Sequence, residues 1–271
     1  MKVGIVGYGV VGKAATLTFE EHFDIVKYDK FQNLDNFVDL RSCDFVFIMV
    51  PTPFDCIKNK VDDSAVTESL SKLEEINYTN TVVIKSTLPP GTCDNYSSNF
   101  ALKIIFNPEF LRESTTPNED FKNQDKIVIG TNQERLFSQL KSLYSVCAVS
   151  HAQYYHTTLL EAEMIKSAQN TMLASRVALA NLIFDVCKEH DVDYQKVKEI
   201  AFDRFDILGP HMTQVPGPDG KRGFGGKCLP KDIRALSSVS SSKLLRDIIL
   251  YNDTLRDDLN KVLKNYNKDG K

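Results

Sequence analysis

The sequence predicts an α/β fold: an N-terminal Rossmann doubly wound parallel sheet, followed by a long helix and a small all-α domain. Three observations support this prediction. A short apolar strand runs directly into a glycine-rich turn and a helix at the N-terminus. Apolar strand-length segments then alternate with helical segments to about residue 150, which is typical of a parallel sheet. Residues 157–190 contain no proline or glycine and fit one long helix.

Length and composition narrow the class of protein. The 271 residues suffice for two domains, which we place at 1–152 and 153–271. A net charge of −3 gives no basic footprint for nucleic acid, and no apolar run is long enough for a transmembrane helix. The six cysteines are scattered without a CxxC pair, so we expect reduced thiols in a cytoplasmic protein and no metal site.

The first strand, residues 3–6, precedes a G-x-G-x-x-G turn, and a helix is predicted over 10–21. This pattern between a strand and a helix is typical of a dinucleotide site. Its glycines permit a tight turn, close approach of a pyrophosphate and packing of the helix on the strand. The predicted cofactor contacts in this turn are Gly7, Tyr8, Gly9, Val10, Val11 and Gly12.

The second strand, residues 24–28, ends in Asp29, about 20 residues after the first glycine of the turn. A carboxylate at this spacing accepts hydrogen bonds from the adenosine ribose of NAD and would repel the 2′-phosphate of NADP. The neighbouring Lys30 tempers that preference slightly. We therefore predict NAD as the cofactor, with Asp29 and Lys30 at its ribose.

The alternation of strands and helices continues through the first domain. Further strands are predicted over 44–50, 81–85, 102–106, 126–130 and 146–150, and helices over 63–76 and 133–145. Segments rich in proline and polar residues follow three of these strands, at 51–53, 86–92 and 107–113. Ligands of doubly wound folds bind at such strand ends. Taken alone, Glu109 and Glu113 would also fit an i, i+4 pair on a solvated helical turn.

The second domain is predicted to be helical. In the long helix, Lys166 and Asn170 are four residues apart and project from one face. A lysine on a helix is usually a solvated charge, but this pair beside apolar neighbours favours a polar pair directed into a site. A helix over 194–203, a loop over 208–226 and helices over 230–239 and 242–264 complete the chain; so long a loop is typically functional.

One thiol follows this loop in the sequence Gly-Phe-Gly-Gly-Lys-Cys-Leu-Pro-Lys-Asp, residues 223–232. Flanking lysines favour the thiolate of Cys228. Pro230 suits the first turn of a helix, whose N–H groups would then face the sulfur. A lone cysteine behind glycines would also fit a buried residue of a surface loop.

This stretch resembles the nucleophile loop of the UDP-glucose/GDP-mannose dehydrogenases. Segments 50–53, 86–92, 107–113 and 162–170 resemble the cofactor loops, active-site loops and central helix of the same family. The resemblance implies NAD-dependent oxidation of a nucleotide-sugar 6-alcohol to the carboxylate, of the UDP-glucose to UDP-glucuronate type, through a thiohemiacetal and a thioester on Cys228.

The resemblance also implies roles for individual residues. Lys166 and Asn170 would stabilise the oxyanion, Thr87 and Asp232 would hold a water that deprotonates the alcohol, and Glu113 would activate the hydrolytic water. The implied substrate contacts are Glu109, Phe110, Leu111, Arg222, Phe224 and Gly225. The implied further cofactor contacts are Val50, Pro51, Thr52, Ser86, Thr87, Glu113 and Lys231.

The expected partners are a nucleotide-sugar substrate and a second copy of the chain, with no nucleic acid and no membrane. The family pairs subunits through the long helix, so we expect a homodimer. We also expect a short form without the family's C-terminal UDP-binding domain. Two alternatives stay open: a two-electron dehydrogenase of a small hydroxy acid, which has no need of Cys228, and a truncated, non-catalytic NAD-binding module.

Overall fold

The computed structural model describes residues 1–111, 116–205, 213–239, 241 and 243–256. Its internal contacts divide the chain into two units. The first unit comprises residues 1–53 and 62–166, and the second comprises residues 54–61 and 167–271. Within the described residues, no helix is both long and apolar enough to cross a membrane.

The first unit is built on a sheet that has seven strands in the described part of the chain: β1 Lys2–Val6, β2 Asp24–Tyr28, β3 Phe45–Ile48, β6 Thr81–Ile84, β7 Lys103–Phe106, β8 Lys126–Gly130 and β9 Gln153–Thr157. Their order in the sheet is β2-β1-β3-β6-β7-β8-β9, and the intervening β4 Phe54–Asp55 and β5 Lys60–Val61 belong to the second unit. From β1 the chain passes to β2 on one side and then to β3 on the other, so the strand order reverses at β1. A doubly wound sheet binds ligands at this reversal, outside the carboxyl ends of the strands.

Helices cover both faces of this sheet. They are α1 Val10–Phe19, α2 Ser64–Glu75, α3 Thr92–Asn99, α4 Pro117–Lys122 and α5 Glu134–Cys147, with a 3₁₀ turn at Phe37–Ser42. Alternate residues of β3 point to opposite faces: Val46 and Ile48 pack in the same core as α2, and Phe45 and Phe47 in the same core as α1 and α5. The predicted doubly wound α/β fold is thus confirmed.

Two features of the sheet differ from the prediction. The pairing of β7 with β8 is antiparallel, through Phe106 and Gly130, so the sheet is mostly rather than wholly parallel. The prediction of a strand over 146–150 is wrong, because α5 continues to Cys147 with Leu140, Leu143 and Tyr144 buried at helical spacing. The last strand is instead β9, which pairs with β8 beyond residue 152 and whose residues are polar or aromatic, without the apolar run that marks buried strands.

The second unit is mainly helical. It contains most of α6 Leu159–Glu189, then α7 Tyr194–Lys198, a π-helical turn at Glu199–Asp203, α8 Cys228–Ser238 and α9 Lys243–Leu255. A short hairpin, β4 Phe54–Asp55 with β5 Lys60–Val61, packs against α8 and was not predicted. The predicted continuation of the last helix to residue 264, and residues 208–212 of the predicted loop, lie outside the described residues.

Candidate active site

The glycine turn after β1 has the geometry of a dinucleotide cradle. Gly7 has φ +95°, and an added Cβ there would lie 2.7 Å from the carbonyl oxygen of Met49. At Gly12 an added Cβ would overlap the carbonyl oxygen of Gly7. Gly9 is different, since nothing lies within 4 Å of an added Cβ. Gly7 and Gly12 therefore serve the fold, whereas Gly9 leaves open space in front of the first turn of α1, where a pyrophosphate would bind.

Asp29 joins the end of β2 to this turn. Its Oδ2 accepts a hydrogen bond from the Tyr8 N–H at 2.8 Å, and its Oδ1 accepts one from the Phe31 N–H at 2.9 Å. Burial acts to raise the pKa of Asp29, but these backbone hydrogen bonds outweigh it and bring the pKa below its ordinary value. The carboxylate is therefore ionised at neutral pH, as an acceptor of ribose hydroxyls must be.

Lys30, the residue that tempered the prediction of NAD, carries a compensated charge. Its Nζ lies 2.8 Å from a carboxylate oxygen of Glu68, which also pairs with Lys72. Hydrogen bonds from these two lysines lower the pKa of Glu68 to about 2. The positive charge of Lys30 beside Asp29 is thus already paired with Glu68. It therefore attracts a 2′-phosphate less, which favours NAD over NADP.

The turns after β3 and β6 are tied to each other. The Ser86 hydroxyl donates to the carbonyl oxygen of Val50 at 2.7 Å, and the Thr52 hydroxyl donates to that of Thr87 at 2.7 Å. Pro51 lies exposed between the two contacts. The five predicted cofactor residues of these turns therefore come together at the carboxyl end of the sheet.

A buried lysine that the sequence reasoning missed follows β6. The side chain of Lys85 is 0% exposed, and its Nζ lies 3.1 Å from Oε2 of Glu109 and 2.9 Å from Oδ1 of Asn107. Asn107 also accepts from the Tyr144 hydroxyl at 2.6 Å and donates to the Val128 carbonyl oxygen at 2.7 Å. Burial lowers the pKa of Lys85, and the Glu109 carboxylate opposes that shift. The sequence signal that could have identified this buried lysine is a charged residue directly after the apolar run of β6.

Glu109, predicted to contact substrate, uses its carboxylate within the protein. Its Oε1 accepts from the backbone N–H groups of Phe110 at 2.9 Å and Leu111 at 3.1 Å. Phe110 and Leu111 are half-buried, and the ring centroid of Phe110 lies 5.2 Å from Nζ of Lys166. The first unit therefore brings Lys166 onto the turn after β7. Glu113, predicted to activate water and to contact NAD, lies outside the described residues.

A second buried charge lies one helical turn before Lys166. The carboxylate of Glu163 accepts from the Gly91 N–H at 2.6 Å and the Cys93 N–H at 2.8 Å, at the N-terminus of α3. Burial raises the pKa of Glu163, and the hydrogen bonds from Cys93 and Gly91 oppose that shift. Glu163 thus fixes the turn that carries Thr87 against the start of α6.

The predicted nucleophile lies in the second unit. Cys228 is exposed and is the first residue of α8, two positions ahead of the predicted start of that helix. Asp232, one turn later, is buried and accepts a hydrogen bond from the side-chain amide of Asn170. Lys231 Nζ lies 3.1 Å from the other Asp232 oxygen. The second unit therefore brings together Asn170, Lys231, Asp232 and the helix that begins with the thiol.

Side chains from α6, from α9 and from the residue that follows α9 hold the glycine segment before the thiol. The Gly223 N–H donates to the amide oxygen of Asn181 at 3.0 Å, and the Phe224 N–H donates to that of Asn252 at 2.6 Å. Arg256 donates to the Gly223 carbonyl oxygen at 2.8 Å, and its guanidinium occupies the space that a side chain at residue 225 would need. None of these three anchors was predicted.

Two residues predicted to contact substrate have structural partners. Phe224 is 2% exposed and packs with Ala174, Ala178 and Ile233. The guanidinium of Arg222 pairs with Asp185 and lies 5.1 Å from the ring centroid of Phe184. Among the described residues, no group of three or more histidine, cysteine or acidic side chains is arranged to hold a metal ion.

Comparisons with known proteins point to one family. Residues 31–148 match the NAD binding domain of the UDP-glucose/GDP-mannose dehydrogenase family, and residues 160–254 match the central domain of the same family. A UDP-glucose 6-dehydrogenase of Rickettsia bellii is 34% identical over 232 residues, which are 83% of this chain and 50% of that protein. The chain thus spans about half the length of the curated relatives it matches.

Two solved structures share the fold. A UDP-glucose dehydrogenase from Pyrobaculum islandicum matches with TM-score 0.79 and 24% identity, covering 93% of this chain and 68% of that one. A 3-hydroxyisobutyrate dehydrogenase from Mycobacterium tuberculosis matches with TM-score 0.71 and 12% identity, covering 94% of each chain. At these identities the likeness concerns the fold alone.

Proposed function

Because the chain belongs to the UDP-glucose/GDP-mannose dehydrogenase family, we propose that it oxidises the 6-alcohol of a nucleotide sugar to the carboxylate through a covalent intermediate on Cys228. The UDP-glucose to UDP-glucuronate conversion is the type reaction. The observation that carries the proposal is the exposed thiol at the start of α8, one turn from the buried Asp232 that pairs with Asn170. A non-catalytic module would have no use for this arrangement.

The residues of the glycine turn fit NAD. Gly9 leaves room for a pyrophosphate, α1 directs its free N–H groups there, and the ionised Asp29 lies beside the turn. When bound, NAD accepts one hydride in each of two successive oxidations. Gly7, Tyr8, Gly9, Val10, Val11 and Gly12 would hold the pyrophosphate, with Asp29 and Lys30 at the ribose. Val50, Pro51, Thr52, Ser86, Thr87, Glu113 and Lys231 complete the proposed contacts.

The thiolate of Cys228 adds to the carbon of the aldehyde that the first oxidation yields, and a C–S bond forms as the carbonyl oxygen becomes an alkoxide. The position of the thiol at the N-terminus of α8 favours the thiolate, since the helix dipole is positive there. Loss of the second hydride gives a thioester. Water then attacks its carbonyl carbon, the C–S bond breaks, and the carboxylate and free thiol are released.

Acid–base and electrostatic roles fall to the groups around these steps. The developing oxyanion needs preorganised donors, which Lys166 and Asn170 supply in this proposal. The alcohol proton passes to a water held by Thr87 and Asp232, and Glu113 activates the hydrolytic water. The hydrogen bond from Asn170 to Asp232 supports these two separate roles, because it fixes both side chains. Glu109, Phe110, Leu111, Arg222, Phe224 and Gly225 would shape the substrate site.

A homodimer is part of the proposal. Several large apolar side chains of α6 are at least one-third exposed in the single chain: Leu160, Met164, Ile165, Met172, Leu179, Leu182 and Val186. Burying such side chains is favourable, and a second copy of the chain would do so. Sedimentation at micromolar concentration should give twice the mass of the chain; a monomer would contradict this. The six cysteines form no disulfide among the described residues, which supports a cytoplasmic location.

One second candidate function has a specific observation in its favour. The likeness to 3-hydroxyisobutyrate dehydrogenase covers 94% of both chains, so the same arrangement of elements also occurs in a dehydrogenase of a small hydroxy acid. Such a two-electron oxidation needs no thiol. Cys228 and Asp232 on one helix turn are then unexplained, which is why we prefer the first function.

A substrate screen separates the two functions. The full chain is mixed with NAD and, in separate reactions, UDP-glucose, UDP-N-acetylmannosamine, GDP-mannose, 3-hydroxyisobutyrate and other small hydroxy acids, and NADH absorbance is followed. We expect turnover with a nucleotide sugar and none with a hydroxy acid. Turnover restricted to hydroxy acids would favour the second function, and NAD binding without turnover of any substrate would favour the non-catalytic module.

A further inference from the structure

We propose that Lys85 is a positioning residue for this oxidation: through Glu109 it holds the turn at residues 107–111 so that Phe110 meets Lys166. The inference rests on the proposed function of the site. Lys85 belongs neither to the glycine-turn motif nor to the thiol-loop motif of the sequence.

The first step is the burial of the lysine. Its ammonium pairs with Glu109 at 3.1 Å, donates to the Asn107 side chain at 2.9 Å, and lies 5.4 Å and 5.9 Å from the ring centroids of Phe121 and Tyr144. A buried ion pair adds little net stability over apolar residues of the same volume, because both ions lose their hydration. A strand end in an apolar core has no need of this charge for folding, so a role beyond stability is indicated.

The second step is the use of both Glu109 oxygens. Oε1 accepts from the Phe110 and Leu111 N–H groups, and Oε2 faces Lys85. Hydrogen bonds to an ionised acceptor are the stronger kind and fix its geometry. The path of the turn is therefore set by the position of Lys85.

The third step links the turn to the proposed oxyanion lysine. Nζ of Lys166 lies 5.2 Å from the ring centroid of Phe110, within the range of a cation–π interaction. Lys166 is 8% exposed, so the ring of Phe110 faces a largely buried ammonium group. A chain of contacts thus runs from Lys85 through Glu109 and Phe110 to Lys166, all within the first unit.

A double-mutant cycle tests this chain of contacts. Lys85→Met in the wild type should lower kcat about tenfold or more, since displaced catalytic groups act poorly. The Kd for NAD should stay within about threefold, because the glycine turn is untouched. In a Glu109→Gln background, the same Lys85→Met change should lower kcat less than about threefold or restore part of it, since the two effects are not independent.

The matched control is Lys103→Met, the same substitution at an exposed lysine at the start of β7, which should change kcat less than about twofold. Equal factors for Lys85→Met in both backgrounds, or a kcat that falls only with the folded fraction, would overturn the proposal. If Lys85→Met does not fold, Phe110→Leu serves instead: it should lower kcat with unchanged NAD affinity, and an unchanged kcat overturns the proposal. A wild type without turnover of any nucleotide sugar overturns the proposed function as well, whereas an active wild type with unaffected variants overturns only the role of Lys85.

Discussion

In the first unit, the turns after β1, β3 and β6 leave the sheet at neighbouring strand ends, so strand pairing alone brings them together. In the second unit, the described residues of the loop before Cys228 belong to no sheet. Its segment 223–225 is held by side chains of α6, of α9 and of the residue that follows α9, namely Asn181, Asn252 and Arg256. Backbone topology thus positions the turns of the proposed cofactor site, whereas individual side chains position the proposed nucleophile.

The chemistry of the anchors differs too. The first unit fixes its turns with buried charges, Lys85 and Glu163, close to the strand and helix ends that they serve. In the second unit the N–H groups of Gly223 and Phe224 are bound by the neutral amide oxygens of Asn181 and Asn252. The anchoring of the turns in the first unit should therefore depend on pH, whereas the anchoring by amides in the second unit should not.

The largest loss of stability is expected at the glycine turn, where an added Cβ would overlap the neighbouring backbone. Gly12→Ala puts a methyl group onto the Gly7 carbonyl oxygen and should lower the free energy of unfolding by about 3 kcal/mol. Gly9→Ala meets nothing within 4 Å, so stability should change by less than about 1 kcal/mol. Urea denaturation measures both.

Alanine substitutions at the same two glycines, Gly9 and Gly12, separate an effect on NAD affinity from an effect on folding stability. Because Gly9 faces open space, its alanine variant should fold normally and bind NAD about tenfold more weakly in calorimetry, as the methyl group occupies room needed by the pyrophosphate. Unchanged NAD affinity in Gly9→Ala would show that the pyrophosphate does not approach this turn.

A smaller effect is expected at the anchors of the thiol loop. Asn252→Ala leaves the buried Phe224 N–H without its acceptor and should cost about 1–3 kcal/mol of stability. Turnover should fall because the glycines before Cys228 lose an anchor, while NAD affinity stays unchanged. The control is Asn99→Ala at an exposed position of α3. Wild-type turnover in Asn252→Ala would contradict the claim that side chains position this loop.

The smallest effect is a pH dependence. Burial raises the folded-state pKa of Glu163 above its ordinary 4.5, so the folded protein binds this proton more tightly than the unfolded chain. The contribution of Glu163 to stability is therefore largest below pH 4.5 and is lost as the pH rises through the raised pKa. Urea midpoints of wild type and Glu163→Gln, compared between pH 7 and pH 4.5, should shift in favour of the wild type on acidification.

Asn252→Ala supplies the contrast for that measurement. Its stability deficit should be the same at both pH values, because the lost amide does not titrate. A stability deficit that depends on pH in Asn252→Ala, or one that does not depend on pH in Glu163→Gln, would contradict the expected difference between the anchors of the two units.

The sequence predicted what depends on local pattern. The glycine turn, Asp29, the buried strands and the long helix follow from spacing and apolar periodicity over a few residues. The strand β9 was not predicted, because an edge strand without an apolar run carries no periodic signal in the sequence. The anchors of the thiol loop come from residues 28 to 42 positions away in the chain, and a single sequence holds no record of such contacts.

The most direct test of the whole account is the ratio of NADH to carboxylate formed from a nucleotide sugar. Wild-type protein with UDP-glucose should yield two NADH for each UDP-glucuronate, counted by absorbance and by chromatography of the same sample, because in the proposed mechanism one thiol carries the substrate through both oxidations. Cys228→Ala should form no carboxylate. A yield of one NADH per product, with Cys228→Ala fully active, would contradict the covalent mechanism and return the chain to the class of two-electron dehydrogenases.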